Sequence, residues 1–222
     1  MATTVTDNLI HVRSTLSPGV QLVAVSKYHP ASQIAEAYAA GQRRFGESHE
    51  QELRQKHAEL PADIEWHFIG HLQTNKVKLI VPYISMIETV DSLRLLNEIE
   101  RQAARIGRSV KVLLELHLAQ EATKYGLTPD DCRALLASGE WRRMEHVKIC
   151  GLMMMASNVD DSEQIEREFQ QASDFFDEVK RDFFAHDESF CERSWGMSAD
   201  YPLAMRHGST LVRVGTAIFG ER

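Results

Sequence analysis

Eight short apolar runs, separated by longer stretches of helical period, constrain this chain more than any other feature. They fall at Val20–Lys27, Arg44–Glu47, Glu65–Gly70, Met86–Val90, Val110–Leu118, Lys148–Met155, Ser194–Ser198 and Leu211–Thr216. Several are apolar on both faces, as strands covered by helices on both sides must be. Strand and helix in alternation predict βα units feeding a parallel sheet. Eight such units predict closure into a single α/β domain, a (β/α)8 TIM-type barrel. No Pro/Gly/Ser-rich linker or shift of composition divides the 222 residues, so residues 1–222 read as one domain.

The intervening segments carry helix signals. Asp91 precedes a stripe of Leu95, Leu96, Ile99, Ala103 and Ile106, and Thr128-Pro129 reads as an N-cap followed by proline at the first helical position. Between Asp161 and Phe184, Ile165, Phe169, Ala172, Phe176, Val179 and Phe183 recur at steps of four and three. That spacing fits a coiled-coil seam or an outer barrel helix, and the small number of heptads favours the helix.

Charge and cysteine usage exclude several functions. The net charge is −7 with lysine and arginine scattered, so no DNA or RNA partner is expected. The three cysteines, Cys132, Cys150 and Cys191, show no C-x-x-C spacing, which signals neither a disulfide framework nor a thiolate zinc site and fits a reducing cytosol. Residues 1–9 lack the pattern of a signal peptide, and no stretch approaches the ~18 apolar residues of a membrane span. A soluble, unprocessed, cytoplasmic protein is expected.

In a barrel the chemistry lies at the C-terminal ends of the strands, with phosphate commonly held after strands seven and eight. Lys27 ends the first run on the face of Val23 and Val25, where loss of hydration would lower its pKa and free an amine able to attack an aldehyde. The alternative is a strand-end lysine whose ammonium reaches back to water. Ser198, a candidate helix N-cap, and Gly215-Thr216 supply a hydroxyl, helix-start N–H groups and close backbone approach, the elements of an anion site. Arg213 shares the inward face with Leu211 and Gly215. It needs an acceptor: a carboxylate such as Glu47 or Glu88, or a heterocyclic nitrogen. His67 and His71 are four apart, but Trp66 to Gly70 reads as a strand, so a helical two-histidine metal site is not expected. Met153, Met154 and Met155 read as core packing.

Together these residues resemble the pyridoxal phosphate homeostasis protein family (YggS/PROSC) over nearly the full chain. The matching stretches are Val23-Ala24-Val25-Ser26-Lys27, Phe45-Gly46-Glu47, residues 66–76 (WHFIGHLQTNK), Gly151-Leu152-Met153, Gly196-Met197-Ser198 and residues 212–220 (VRVGTAIFG). The resemblance implies a barrel of PLP fold type III, like the N-terminal domain of alanine racemase, holding pyridoxal 5′-phosphate (PLP) as an internal aldimine on Lys27. It further implies Arg213 near the pyridine nitrogen, with Ser198, Gly215 and Thr216 around the phosphate. Members of the family are regarded as PLP carriers or regulators of vitamin B6 pools without an established catalytic activity. Two departures stand out: Ser48 replaces the usual asparagine after Phe-Gly-Glu, and Ser194-Trp195 replaces the usual leucine-serine before Gly-Met-Ser.

Arginine at the ring nitrogen disfavours the protonated pyridine that stabilises carbanions. The chain also ends six residues after Thr216, so no second β domain is expected to close the mouth or bring a second base. A reversible PLP carrier is therefore the expected function, exchanging cofactor with PLP-dependent apo-enzymes or meeting free amino acids, and a monomer is expected. The alternatives are a PLP-dependent amino-acid racemase and a class I aldolase-type barrel without cofactor.

Overall fold

The computed structural model describes residues 4–118 and 125–221. Eight parallel strands, β1 (Gln21–Val25), β2 (Arg44–Glu47), β3 (Glu65–Phe68), β4 (Met86–Val90), β5 (Val110–Leu116), β6 (Val147–Met154), β7 (Glu192–Ser194) and β8 (Leu211–Val214), pair in chain order, and β8 closes on β1. The fold is the (β/α)8 barrel expected from the alternating runs. Register aligns Val23 with Arg213, Val25 with Gly46, and Gly46 with His67. Residues so paired face the same side of a parallel sheet. The outward set, including Phe45, Trp66, Ile87, Leu114 and Val212, joins the main core under the helices, while Met86, Leu113, Cys150 and Met153 form a separate cluster within the lumen.

Helices α2 (Ala31–Ala39), α3 (Glu50–Glu59), α4 (Val77–Ile80), α5 (Leu93–Arg105), α6 (Pro129–Ala137), α7 (Ser162–Phe183) and α8 (Tyr201–Arg206) follow β1 to β7 in turn. Thr128 caps α6 with Pro129 at its first position, as the sequence indicates. The α7 stripe of Phe169, Ala172, Phe176 and Val179 is buried, and α7 packs on β6, α6 and α8 as an outer barrel helix. On α5 the stripe ends one turn early: the helix stops at Arg105, and Ile106, in the C-cap position, is 48% exposed.

One element has no counterpart in the sequence reading. Helix α1 (Val5–Ser14) precedes the barrel and is started by a Thr4–Asp7 capping box. The Asn8 side chain donates to the Ile218 carbonyl of α9 (Thr216–Phe219), and the Thr6 amide donates to Glu36 on α2. An extra helix thus braces the short element that follows β8.

Several strands stop short of the apolar runs that announce them: β1 at Val25, β3 at Phe68, β5 at Leu116 and β8 at Val214. The seventh is displaced, to Glu192–Ser194 instead of Ser194–Ser198. Gly196 has φ +95°, and a Cβ there would lie 2.6 Å from the Ala204 Cβ, so the backbone leaves the sheet to pass against α8. Trp195 is fully buried, edge-on to Phe176 at 83°. No helix among the described residues is long and apolar enough to cross a membrane.

Candidate functional site

A cavity of about 260 Å³ lies between the C-terminal ends of β1, β6 and β8 and the loop after β7. Lys27, Ser198, Arg213, Gly215 and Thr216, the five residues singled out from sequence, all line it, with Val25, Ile69, Met155 and Met197 as apolar walls. It combines an amine, a fixed cation, an anion cradle and flat apolar surface, in a volume just below the ~300–1,000 Å³ typical of ligand pockets.

Lys27 is not a strand residue. After Val25 the chain turns, the His29 amide donating to the Ser26 carbonyl at 3.1 Å, and Lys27 occupies the turn. Tyr28 has φ +67°, the one non-glycine residue with positive φ among those described. A side chain in that region costs roughly 1–2 kcal/mol. Tyr28 does not continue the strand on its opposite face; it is 57% exposed, with its ring 5.3 Å from that of His49.

Ser198 does not cap the following helix: Asp200 takes the N-cap position of α8, and its carboxylate accepts the Met197 amide. The Ser198 hydroxyl instead accepts the Gly215 N–H at 3.1 Å, tying the β7 loop to the end of β8. A Cβ on Gly215 would come within 3.1 Å of the Val25 carbonyl, so glycine allows β8 to lie this close to the Lys27 turn. Helix α9 starts at Thr216, and the first-turn amides of Thr216 and Ala217 have no intrahelical acceptor. Hydroxyl and amides together form a cradle suited to an anion.

Arg213 is 3% exposed. Its Nη1 donates to the Ser194 carbonyl and hydroxyl, both at 2.6 Å, and its Nη2 to the Met154 carbonyl at 2.9 Å, bonds that leave the Nε–H unused. Of the two carboxylates weighed from sequence, Glu88 is the neighbour, at 3.8 Å, and Glu47 belongs to a different cluster. Glu88 accepts from Ser194 Oγ at 2.6 Å and from His67 Nδ1 at 2.6 Å, so that nitrogen carries the proton. Burial alone would raise the Glu88 carboxyl, but the bond and charge of His67, with Arg213 and Ser194, hold it below the usual range. Burial lowers the Arg213 pKa and the charge of Glu88 opposes that shift; a guanidinium stays protonated.

From sequence, His67 was weighed only as a metal ligand, and Ser194 was noted only as the start of the seventh run and a departure from the family pattern. The available signal was parity: His67, Glu88 and Arg213 are polar residues within largely apolar runs, and Ser194 shares alternation with Ser198. On β5, Glu115 is 3% exposed, and its Oε2 has no hydrogen-bond partner. Burial, aided by the charge of Asp91, raises its pKa to about 7.

The family model of the alanine racemase N-terminal domain matches residues 2–222. The pyridoxal phosphate homeostasis protein of Bos taurus is 39% identical over 218 residues, 92% of this chain and 79% of that one. That of Pasteurella multocida is 34% identical over 206 residues, 91% and 87% of the two chains. The structure of PipY from Synechococcus elongatus with PLP bound superposes with a TM-score of 0.90 at 41% identity, covering 98% of this chain and all of that one. The chain belongs to the pyridoxal phosphate homeostasis protein family.

Proposed function

We propose that this chain binds PLP in the cavity at the barrel mouth, covalently through Lys27, and serves intracellular PLP homeostasis by taking up and releasing it. The observation that carries the reading is the convergence of Lys27, Arg213, Ser198, Gly215 and Thr216 on one cavity. The names of the relatives and the PLP bound to PipY support it. The residues fit the group: the Ser198–Gly215 cradle and the first-turn amides of α9 suit a phosphate, Val25, Ile69 and the methionines suit a flat ring, and the Arg213 Nε–H suits a ring nitrogen.

The Lys27 amine attacks the aldehyde, a C=N bond forms as one water leaves, and hydrolysis returns both partners. Arg213, a permanent cation with a donor to spare, keeps the nitrogen it faces unprotonated, which weakens the ring as an electron sink and favours carriage over carbanion catalysis. In this reading a monomer in the reducing cytosol exchanges cofactor with PLP-dependent apo-enzymes or free amino acids.

The test is the absorbance of wild type and Lys27→Ala after incubation with PLP and desalting, before and after borohydride reduction. A visible band that borohydride fixes to the Lys27 peptide, and that the variant lacks, is expected. A colourless, unlabelled wild type overturns the binding reading. Sustained conversion of L-alanine to its D-isomer, read by chiral chromatography and lost in Lys27→Ala, overturns the carrier reading in favour of a racemase.

A further inference from the structure

We propose that Lys56, on α3 and outside the cavity, is the positioning residue that aims Lys27 at its ligand; the inference rests on the reading of Lys27 as the cofactor lysine. Lys56 is 5% exposed, and its ammonium makes three bonds: to the Ser26 carbonyl at 2.8 Å, to Glu47 Oε1 at 2.7 Å and to Glu52 Oε1 at 2.6 Å. The Ser26 carbonyl is also the one that closes the Lys27 turn by accepting the His29 amide. Glu52 Oε1 in turn accepts the Tyr28 amide at 2.6 Å. The backbone on both sides of Lys27 is therefore tied to one buried ammonium, directly at Ser26 and through a carboxylate at Tyr28. Ser26 Oγ adds a bond to Glu47 Oε1 at 2.6 Å, fastening the turn to the end of β2.

The turn needs such a grip. Tyrosine does not favour the left-handed conformation that Tyr28 adopts, and external bonds must hold it there. Released, Tyr28 returns to an extended or right-handed conformation and rotates the neighbouring peptide. The Lys27 side chain then swings from the cavity, and imine formation is sensitive to displacements of this size. A lysine that only neutralised Glu47 would have no need of the Ser26 carbonyl. The bond to that carbonyl assigns Lys56 to the turn.

The experiment separates covalent capture from non-covalent fit. The rate at which the visible band grows is followed after apo-protein is mixed with PLP. Affinity is measured separately by calorimetry for 4′-deoxypyridoxine 5′-phosphate, which keeps ring and phosphate but has no aldehyde. Lys56→Met is expected to slow the band at least tenfold while analogue affinity stays within twofold, and Lys56→Arg to recover most of the rate. Tyr28→Asn, which tolerates the left-handed conformation, is expected to restore the rate in the Lys56→Met background. If Lys56→Met does not fold, Glu52→Ala carries the test: it cuts the link to the Tyr28 amide, leaves the Lys56–Glu47 pair, and slows the band about threefold.

A wild-type rate in Lys56→Met or, where that variant does not fold, in Glu52→Ala overturns the proposal. So does a parallel loss of rate and analogue affinity, which marks a collapsed cavity, or failure of both Lys56→Arg and Tyr28→Asn to recover the rate. A wild type that shows no band while still binding the analogue overturns the reading of Lys27 itself, and the role of Lys56 falls with it.

Discussion

Glu88 organises the lumen through one carboxylate, accepting from His67 and Ser194 and lying 3.8 Å from Arg213. Burying a carboxylate and a guanidinium costs several kcal/mol per ion, a cost offset only while every partner is present. Glu88→Ala leaves Arg213 as an uncompensated buried cation, and urea denaturation should show a loss of about 3–5 kcal/mol. Adding Arg213→Met should return part of that loss, because the variant pair no longer buries a lone charge. A Glu88→Ala protein within about 1 kcal/mol of wild type would show that the carboxylate does not hold the arginine. Lys27→Ala is the contrast: on a half-buried turn, it should change stability by less than about 1 kcal/mol.

The loop from β7 to α8 shows how far an element's end can depend on distant packing. Gly196 sits in the left-handed region, and a Cβ there would meet Ala204 Cβ at 2.6 Å and Tyr201 Cα at 2.8 Å. Gly196→Ala should therefore cost about 1–3 kcal/mol and displace Ser198 from Gly215. Calorimetry should show weaker binding of 4′-deoxypyridoxine 5′-phosphate while affinity for the unphosphorylated pyridoxine ring is kept; equal losses would mean that the loop does not serve the phosphate end. The barrel itself was legible because alternation of apolar runs and helical stripes is a local property of the chain. The five cavity residues were legible because strand ends in a barrel converge. The ends themselves were not: Tyr28 is held by Glu52 and Lys56, and the end of β7 is set by Ala204 and Tyr201, none of which announces itself at the position it controls. Parity likewise places His67, Glu88 and Ser194 inside, but only closure of the barrel brings strands three, four, seven and eight close enough to share one carboxylate.

Across the protein as a whole, buried carboxylates pull stability in opposite directions with pH. Burial raises Glu47 to about 7, against the opposing charge and bond of Lys56 and the bond of Ser26, with Glu52 adding to the rise. Glu115 is likewise raised to about 7, by burial and Asp91, against Arg213. An acid whose folded pKa lies above its unfolded value binds more protons when folded, so its contribution is full below the ordinary glutamate value of 4.5 and is lost as pH rises toward 7. Glu88, held below the ordinary range, acts oppositely and withdraws its contribution only as pH falls beneath that value. The apo-protein should therefore lose thermal stability between about pH 4.5 and pH 7, the window set by the two raised groups. Glu115→Gln, isosteric and without a titrating proton, should flatten that decline, leaving the part due to Glu47. Melting temperatures for the two proteins at matched ionic strength decide it: an undiminished decline in the variant would mean that Glu115 keeps an ordinary pKa, and that the lumen is wetter than its burial implies.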